Sequence, residues 1–386
     1  MNTWRYIEED KVTAYYGLAA DEYLMDLYSD KDAHKDAILR LYSYQDFCSL
    51  VGRFQNVHAE LDLESCKRQN SQFTRRLTGG GAIIMGDGQL ALCLATANTF
   101  QSENTRELYQ LFSNPIIQVL DQLGINAELK GKNDLEVDGK KIAGLGIHVN
   151  PHGAIQFHTS LLVDLDIPKM MSVLNIPLQK IGDKAQIHKV EQRITTISRE
   201  LGRKVTVAEV RILLKKCYES QFEVKLVEDA IRNNEKGKIE KIANDRYKSD
   251  GWIFQNSPQP DMTGMGLKKT KAGLLRTYVA LKGETMKSVL ITGDFFGFEE
   301  LFGHIETKLK WHPIDQLKIK AVIDMAFAKY PKSSDLSADE VFDSIWRATM
   351  GAMREVKYTY NGSCYYPKKK EKDKTEKKNE DNISVN

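Results

Sequence analysis

Apolar and polar residues follow two different periods along the first half of the chain. Apolar residues recur at helical spacing over residues 18–28, which predicts a helix, whereas residues 38–44 alternate as a strand does. A second helix is predicted over residues 105–123, kinked or restarted at Pro115, and residues 155–163 indicate a further strand. The mixture predicts a large domain of the α+β class.

The pattern changes after residue 200. A Thr-Val-Ala-Glu capping box at residues 206–209 begins a helix, because the threonine can accept the N3 amide and the glutamate can return to the cap. The charge-rich residues 227–241 favour another helix. Apolar periodicity then fades over residues 244–251, and the Ser-Pro-Gln-Pro sequence 257–260 follows. We therefore predict that the large domain ends at about residue 245.

A smaller domain is predicted over residues 246–355. Two strands, residues 274–281 and 285–292, are joined by Lys-Gly-Glu, and a second capping box at residues 337–340 begins a final helix. Residues 356–386 carry many lysines and acidic residues and few apolar ones. Such a composition cannot bury enough surface to offset chain entropy, which predicts a charged, disordered tail.

Composition narrows the classes of function. The 386 residues are 41% hydrophobic, enough for one large and one smaller core, and the formal net charge is only +2. Bulk charge therefore gives no reason to expect a nucleic-acid or membrane partner. Five cysteines without a Cys-x-x-Cys pair favour a reducing compartment, and no apolar run reaches the roughly 18 residues of a spanning helix. We expect a cytoplasmic monomer.

The most informative segment is Arg-Arg-Leu-Thr-Gly-Gly-Gly-Ala at residues 75–82. Glycine allows positive φ and lacks Cβ, so backbone N–H groups can approach phosphate or carboxylate oxygens directly. Taken alone, the segment is also compatible with an ordinary glycine-rich turn.

A second segment, residues 131–144, decides between these two interpretations. Asp138-Gly139 lies between alternating apolar residues and predicts a tight hairpin. The hairpin would hold Lys141 on a strand beside the small residues Ala143 and Gly144, where a lysine can meet a ligand closely. The alternative is a solvated surface lysine.

Together the two segments resemble the lipoate-protein ligase family, which carries Arg-Arg-x-Ser/Thr-Gly-Gly-Gly-Ala and then a hairpin with Asn-Asp-Leu and Lys-Val/Ile-Ser/Ala-Gly. Further matches lie at residues 51–56, 157–162 and 192–197, and residues 252–258 resemble the start of the family's accessory domain. The resemblance implies an α+β fold, with a large mixed-sheet catalytic domain of the biotin/lipoate protein ligase type and a small α+β accessory domain.

The resemblance also implies an activity. Family members use ATP and Mg²⁺ to convert lipoate into lipoyl-AMP. They then transfer the lipoyl group to a lysine of a glycine-cleavage H protein or of a dehydrogenase lipoyl domain. Negative charge develops on phosphate and carbonyl oxygens in both steps, so preorganised donors are the main catalytic device.

Site residues follow from the same resemblance. Lys141 would bridge the acyl carbonyl oxygen and the α-phosphate, and Arg76 would contact the phosphate or carboxylate. Asp134 could hold Mg²⁺, although an Asx-turn would also explain it. The resemblance further assigns the adenylate site to Arg53, Asn56, Thr78, Gly79, Gly80, Gly81, Ala82, Asn133 and Gly144. For Arg53 and Asn56, a salt bridge and a turn cap remain open alternatives.

One departure from the family concerns Ile-Ile-Met-Gly-Asp-Gly at residues 83–88, where relatives continue with an aromatic residue, His and Asp. We expect the extra glycines to reshape the wall of the acyl site, which leaves the preference between lipoate and octanoate open. The histidines His148, His152 and His158 do not share a helix face, and structural hydrogen bonding explains them better than a metal site does.

Three rival functions remain. An octanoyl or lipoyl transferase needs a cysteine nucleophile, yet no cysteine lies between Cys93 and Cys217, and Cys93 sits between two leucines as a buried strand thiol would. A biotin-protein ligase normally has a Gly-Arg-Gly-Arg loop, which this chain lacks. A non-catalytic protein that binds acyl acceptors would not require the retained Arg76 and Lys141.

Overall fold

A computed structural model describes residues 2–29, 36–97, 105–131, 133–174, 192–330 and 335–358. The last described helix continues to Tyr358, three residues into the predicted tail, and the rest of that tail lies outside the described residues. No helix in these ranges is both long enough and apolar enough to cross a membrane.

The described strands are β1 Asn2–Val12, β2 Ala37–Tyr44, β3 Cys48–Val51, β4 Gln72–Arg75, β5 Ile83–Met85, β6 Gln89–Ala97, β7 Glu128–Lys130, β8 Asp134–Val137, β9 Lys140–Val149, β10 Ala154–Leu162, β11 Val224–Asp229, β12 Gly264–Lys269, β13 Leu274–Lys282, β14 Thr285–Gly293 and β15 His312–Pro313. The described helices are α1 Ala14–Asp26, α2 Val57–Glu60, α3 Leu63–Arg68, α4 Thr105–Gln122, α5 Ile167–Val173, α6 Ile197–Glu200, α7 Val207–Phe222, α8 Asn233–Ile242, α9 Asp250–Ile253, α10 Glu299–Leu309, α11 Gln316–Lys329 and α12 Ala338–Tyr358. A short π-helix, Ala243–Tyr247, follows α8.

The largest sheet has eight strands in the order β11-β1-β2-β6-β10-β9-β8-β7. Strand β1 pairs in parallel with both β11 and β2, and the remaining neighbours are antiparallel. One face packs on α4 and α7, and the other packs on α1 and α8. The predicted large mixed sheet is confirmed.

Two sequence predictions need adjustment. Residues 227–241 are not one helix, because Val224–Asp229 forms edge strand β11 and only Asn233–Ile242 is helical. Val224 and Leu226 bury alternate positions against β1, so the period of two outweighs the helix-favouring charged residues. Helix α4 runs through Pro115 as one element, and both predicted capping boxes are present.

A second, three-stranded sheet presents the glycine segment. Strand β3 lies between β4, which is parallel to it, and β5, which is antiparallel. The segment Arg76–Ala82 connects β4 to β5 and therefore returns across the end of β3. Both ends of this loop are consequently fixed by strand pairing.

The C-terminal region forms a four-stranded antiparallel sheet in the order β12-β13-β14-β15, and its predicted strands are confirmed. Helix α12 packs directly on β12. A Cβ at Gly264 or Gly266 would lie 2.0 Å from a carbonyl oxygen of the helix, so only glycine permits this contact. The buried core of this region is continuous through α10, α11 and α12.

The two regions are in direct contact. The Phe54 ring stacks on Phe295 with centroids 5.0 Å apart and joins the core of the C-terminal region. Arg276 pairs with Glu60 of the large domain. We therefore describe the C-terminal region as seated on α2 and on the loop that precedes it.

Candidate active site

Arg75 anchors the base of the glycine loop. Its guanidinium is fully buried, and burial together with the nearby Arg53 and Arg76 lowers its pKa to about 9. It donates hydrogen bonds of 2.6–3.1 Å to the backbone carbonyls of Gly52, Arg53, Gln55, Trp252 and Ile253. The indole of Trp252 donates back to the Arg75 carbonyl at 2.8 Å. Arg75 thus joins its own strand to two separate segments, residues 52–55 and residues 252–253, through main-chain oxygens.

Arg76 shapes the loop itself. Its guanidinium donates to the carbonyls of Gly79 and Gly81 at 2.7 Å each and to that of Leu50 at 2.6 Å. Burial lowers its pKa to about 10. Within the described ranges, no carboxylate pairs with Arg75 or Arg76. The loop therefore carries two cationic groups without neutralising anions.

Close contacts require glycine at positions 52 and 79. A Cβ at Gly52 would lie 2.0 Å from the Gly80 carbonyl oxygen, and one at Gly79 would lie 2.2 Å from the carbonyl oxygen of Phe295. Gly80 has a φ of +87° and donates its N–H to Phe295 at 3.3 Å. The outer side of the loop is therefore covered by the C-terminal region.

The predicted hairpin is present, with left-handed residues Asp138 (φ +48°) and Gly139 (φ +75°) at its turn. It holds Lys141 so that Nζ lies 2.7 Å from Oδ1 of Asp134, and both side chains are about one-third exposed. A Cβ at Gly144 would lie 2.9 Å from this Nζ. The lysine therefore lies across Gly144, as its position beside small residues predicted.

Asn133 and His158 complete the inner wall. The Asn133 side-chain amide donates to the Leu145 carbonyl at 2.7 Å, while the backbone carbonyl of Asn133 accepts the Leu145 N–H at 2.8 Å. Nε2 of His158 lies 2.7 Å from the Thr78 hydroxyl. Burial lowers the pKa of His158 to about 3, so the imidazole is neutral. Arg76 Nε donates to the same hydroxyl at 3.2 Å, so Thr78 links the loop arginine to the histidine.

These residues line a cavity that is open to solvent. Its lining consists of Arg76, Thr78, Gly79, Gly80, Gly81, Ala82, Ile83, Asn133, Lys141, Gly144, Leu145, His158 and Ser160. A second, smaller cavity, the inner cavity, adjoins the first and shares Arg76, Ile83, His158 and Ser160 with it. Leucine, tyrosine and methionine side chains form much of its wall. An outer polar chamber thus leads to a narrower, more apolar one.

The family model of the lipoyl protein ligase A/B catalytic domain matches residues 13–219. This chain belongs to that family. Among similar proteins, lipoate-protein ligase LplJ of Bacillus subtilis is 30% identical over 249 residues, which cover 64% of this chain and 73% of the relative. A lipoate-protein ligase of Streptococcus pyogenes is 28% identical over 332 residues, covering 83% and 94%.

The same family contains enzymes named for a different reaction. Octanoyltransferase LipM of Geobacillus kaustophilus is 26% identical over 277 residues, which cover 65% of this chain and 98% of LipM. The fold resembles the solved structure of P. falciparum LipL1 in complex with lipoate, with a TM-score of 0.68 and 19% identity over 88% of this chain and 98% of that one. The chain is therefore an enzyme of this lipoylation family.

Most predicted site residues of this family member line the outer cavity. Asp134 does not line it but forms an ion pair with the lining residue Lys141. Two other predicted residues do not line it either. The Arg53 guanidinium packs on the Trp252 ring, 4.4 Å from its centroid, and Asn56 caps α2 while it donates to the Tyr278 hydroxyl at 3.2 Å. Asn56 therefore fits the alternative of a turn cap. A ligand contact of Arg53 or of Asn56 stays a prediction.

His158 and Ser160 are lining residues that the sequence interpretation did not place in the cavity. Both lie on one face of β10, and they pair with Gly146 and Gly144 of β9. A Cβ at Gly146 would lie only 2.2 Å from His158 Nε2. Glycines two residues apart in a strand, opposite polar residues with the same spacing, are the signal that predicts this wall.

The departure at residues 83–88 consists of strand β5 and the turn that follows it. Ile83 and Met85 line the inner cavity. Gly86, Asp87 and Gly88 instead form a turn that lines a separate external groove. The expectation that the extra glycines reshape the acyl wall is therefore not supported by their position, because Ile83 and Met85 line the inner cavity and the glycines do not.

The described cysteines are not suited to a nucleophilic role. Cys48, Cys66, Cys93 and Cys217 are buried and unpaired, and none of them lines either cavity. Burial raises the pKa of Cys93 far above its usual range, and the neighbouring carboxylate of Asp21 raises it further. A thiol in such surroundings remains protonated and unreactive.

Proposed function

We propose that the protein is an ATP-dependent lipoate-protein ligase that forms lipoyl-AMP and transfers the lipoyl group to a protein lysine. The proposal rests on one observation above all, namely that the Lys141 ammonium faces the glycine loop across a cavity without any described thiol. The cationic loop, in which neither Arg75 nor Arg76 has a carboxylate partner among the described residues, suits a ligand that brings several negative charges.

In the first step, a carboxylate oxygen of lipoate would attack the α-phosphorus of ATP, and the bond to pyrophosphate would break. Lys141 is placed to stabilise charge on the phosphate and carboxylate oxygens once its ammonium turns from Asp134. The loop held by Arg76 would supply backbone N–H groups to the same oxygens.

In the second step, a neutral lysine amine of the acceptor would attack the acyl carbonyl, and AMP would leave. Lys141 would then stabilise the carbonyl oxygen as it becomes negative. The acyl tail would extend into the inner cavity, where side chains such as Leu50, Met85 and Leu92 exclude water from it. One lysine thus serves both half-reactions.

A magnesium ion fits this site only if phosphate oxygens of the substrate supply ligands in addition to the protein. The described ranges contain no group of three His, Cys, Asp or Glu side chains that could hold a metal ion, whereas Asp134 provides one carboxylate beside the cavity. Mg²⁺ is commonly held by one or two carboxylates together with substrate phosphates. Asp134 would be its protein ligand, and the bound ion would neutralise phosphate charge.

The acceptor is proposed to be a lipoyl domain or a glycine-cleavage H protein. One solved relative of the fold, with a TM-score of 0.59, is described as a bi-partite lipoate protein ligase and its E2 lipoyl domain from Thermoplasma acidophilum. The open side of the outer cavity gives an acceptor lysine access to the acyl carbonyl.

A second candidate is ATP-independent octanoyl transfer, which the similarity to LipM favours. It requires a thiol that accepts the acyl group, and the buried thiol of Cys93 is poorly placed for this task. The two candidates therefore differ in their need for ATP and for a cysteine.

Lipoate-dependent exchange of labelled pyrophosphate into ATP, measured without acceptor, tests the proposal. We expect exchange in the wild-type enzyme, a loss of roughly a hundredfold or more in Lys141→Ala, and little change in Lys140→Ala, the adjacent lysine of the same strand. Octanoyl transfer without ATP that disappears in Cys93→Ser would instead establish the transferase.

A further inference from the structure

The inner cavity carries polar groups among its apolar walls. Asp21, Tyr42 and Tyr44 line the inner cavity and do not line the outer one. Asp21 belongs to α1, the two tyrosines belong to β2, and all three side chains are buried. Burial of a carboxylate beside a site for a plain hydrocarbon chain is costly. A site that held only an alkyl chain would not need these groups.

Hydrogen bonds fix the orientation of both tyrosine rings. The Tyr42 hydroxyl donates to Oδ2 of Asp21 at 2.7 Å and lies 3.2 Å from the Tyr44 hydroxyl. Asp21 is itself held by Arg40, whose Nη1 donates to Oδ1 at 2.7 Å. Buried hydrogen bonds of this kind hold side chains in one arrangement. Both hydroxyls are thus engaged within the protein, and the aromatic rings are the groups that remain for contact with a ligand.

The two rings are also backed by helix α1. Their centroids lie 5.3 Å apart, with an interplanar angle of 66°. A Cβ at Gly17 of α1 would lie 3.1 Å from Cε1 of Tyr44 and 3.2 Å from Cε2 of Tyr42, so the helix packs directly on the rings. The Arg40 guanidinium lies over the Tyr42 ring, 3.8 Å from its centroid. The rings therefore cannot withdraw from a ligand, and we call this pair the tyrosine wall.

Lipoate and octanoate differ at the end that this wall would meet. Lys141 lines only the outer cavity, so an acid whose carboxylate lies near Lys141 would place its far end in the inner cavity. Both acids have the same number of carbon atoms, but lipoate ends in a dithiolane ring with adjacent sulfur atoms.

Sulfur is the feature that an aromatic wall can recognise. A sulfur atom packs favourably at the edge of an aromatic ring, which improves affinity about two- to tenfold. A methyl-terminated chain gains only the burial of its carbon atoms. The tyrosine wall consequently suits the acid that contains sulfur.

We propose that Tyr42 and Tyr44 make the inner cavity selective for the dithiolane ring of lipoate over the hydrocarbon end of octanoate. The proposal rests on the function proposed above, which places the acyl tail in this cavity. The sulfur atoms pack at the edges of the two rings, while Leu50, Met85 and Leu92 bury the remaining carbon atoms. Selection occurs when the acid binds, before any phosphate bond breaks.

The test compares three acids in the full-length enzyme, namely lipoate, octanoate and cyclopentylpentanoate, the carbocyclic analogue of lipoate. The analogue has a ring of similar shape without sulfur and is more hydrophobic, so burial alone would favour it. Exchange of labelled pyrophosphate into ATP provides kcat/KM for each acid. We expect the value for lipoate to exceed those for both other acids about two- to tenfold.

Variants at position 44 separate the aromatic ring from its hydroxyl. Tyr44→Leu removes the ring and should abolish the preference for lipoate over the analogue, whereas Tyr44→Phe keeps the ring and should preserve this preference. Position 44 is chosen because Tyr42, unlike Tyr44, donates to Asp21. Leu18→Val, at another residue of the inner cavity, is the matched control and should change exchange with lipoate and with the analogue by the same factor.

A preference for lipoate that Tyr44→Phe keeps and Tyr44→Leu loses supports the proposal. Equal kcat/KM values for lipoate and the analogue in the wild-type enzyme overturn it, and this comparison does not require any variant to fold. A preference retained in folded Tyr44→Leu also overturns it. If no acid supports exchange, the ATP-dependent function fails. Calorimetric titration of lipoate and the analogue into the wild-type protein then decides the selectivity, since a lower Kd for lipoate supports it and equal Kd values overturn it.

Discussion

The backbone N–H of Gly80 donates to the carbonyl oxygen of Phe295, although Gly80 belongs to the large domain and Phe295 to the C-terminal region. The ring of Phe296 also lies over the same glycine. An amide that the family resemblance assigns to the adenylate is therefore held by the C-terminal region. The Gly80 N–H cannot donate to the Phe295 carbonyl and to the adenylate at the same time.

We predict that binding of a stable lipoyl-AMP analogue releases this contact. Amide hydrogen exchange should become faster at residues 293–296, because their contact with the glycine loop is replaced by the ligand. Exchange in β13, within the core of the C-terminal sheet, serves as the internal control. Unchanged protection at residues 293–296 with saturating analogue would contradict this displacement.

Gly146 is predicted to control the position of His158. Gly146→Ala places a Cβ within 2.2 Å of His158 Nε2, so the imidazole must move and its hydrogen bond to Thr78 must break. We expect lipoate-dependent exchange to fall by about tenfold or more, because small displacements of catalytic loops cost this much. Gly237→Ala, in the open on α8, is the matched control and should retain full exchange.

Arg75 is predicted to be a stabilising residue rather than a ligand contact. Arg75→Lys cannot satisfy the five backbone carbonyls that the guanidinium reaches, so the free energy of unfolding should fall by about 3 kcal/mol or more. Urea denaturation provides the measurement. Arg68→Lys, on the exposed end of α3, should be neutral, and a similarly neutral Arg75→Lys would refute the role.

Glu306 makes the C-terminal region sensitive to pH. Burial raises the pKa of its carboxyl from 4.5 to about 7, while its Oε1 accepts the Ile291 N–H at 2.7 Å. The folded state therefore keeps a proton that the unfolded state has already lost between these two pKa values. Stability contributed by this proton is complete below pH 4.5 and is lost as pH rises through 7.

The corresponding experiment compares Glu306→Gln with the wild-type protein. Wild-type stability should fall by roughly 3 kcal/mol at most between about pH 5 and about pH 8, and the variant should lack this component because its amide does not titrate. Parallel pH profiles for the two proteins would show that Glu306 does not carry the dependence.

Local patterns predicted much of this molecule correctly. The hairpin that carries Lys141 and the threonine and serine capping boxes each depend on a few adjacent residues, and all are present. The sequence could not show that Arg75 reaches the carbonyls of Trp252 and Ile253, because this contact spans 177 and 178 residues. The placement of Asp87 outside the acyl cavity likewise depends on how β5 and β6 turn in space.

The long-range contacts of Arg75 and of β1 also constrain how the protein is made. Strand β1 begins at Asn2 and pairs with β11, which begins at Val224, and Arg75 finds part of its hydrogen-bonding partners only at Trp252 and Ile253. A ribosome must therefore release most of the large domain before its sheet edge can close. Until then, one edge of β1 stays unpaired and the Arg75 guanidinium stays exposed to solvent. During synthesis the nascent chain is consequently open to chaperones, proteases and aggregation for most of its length.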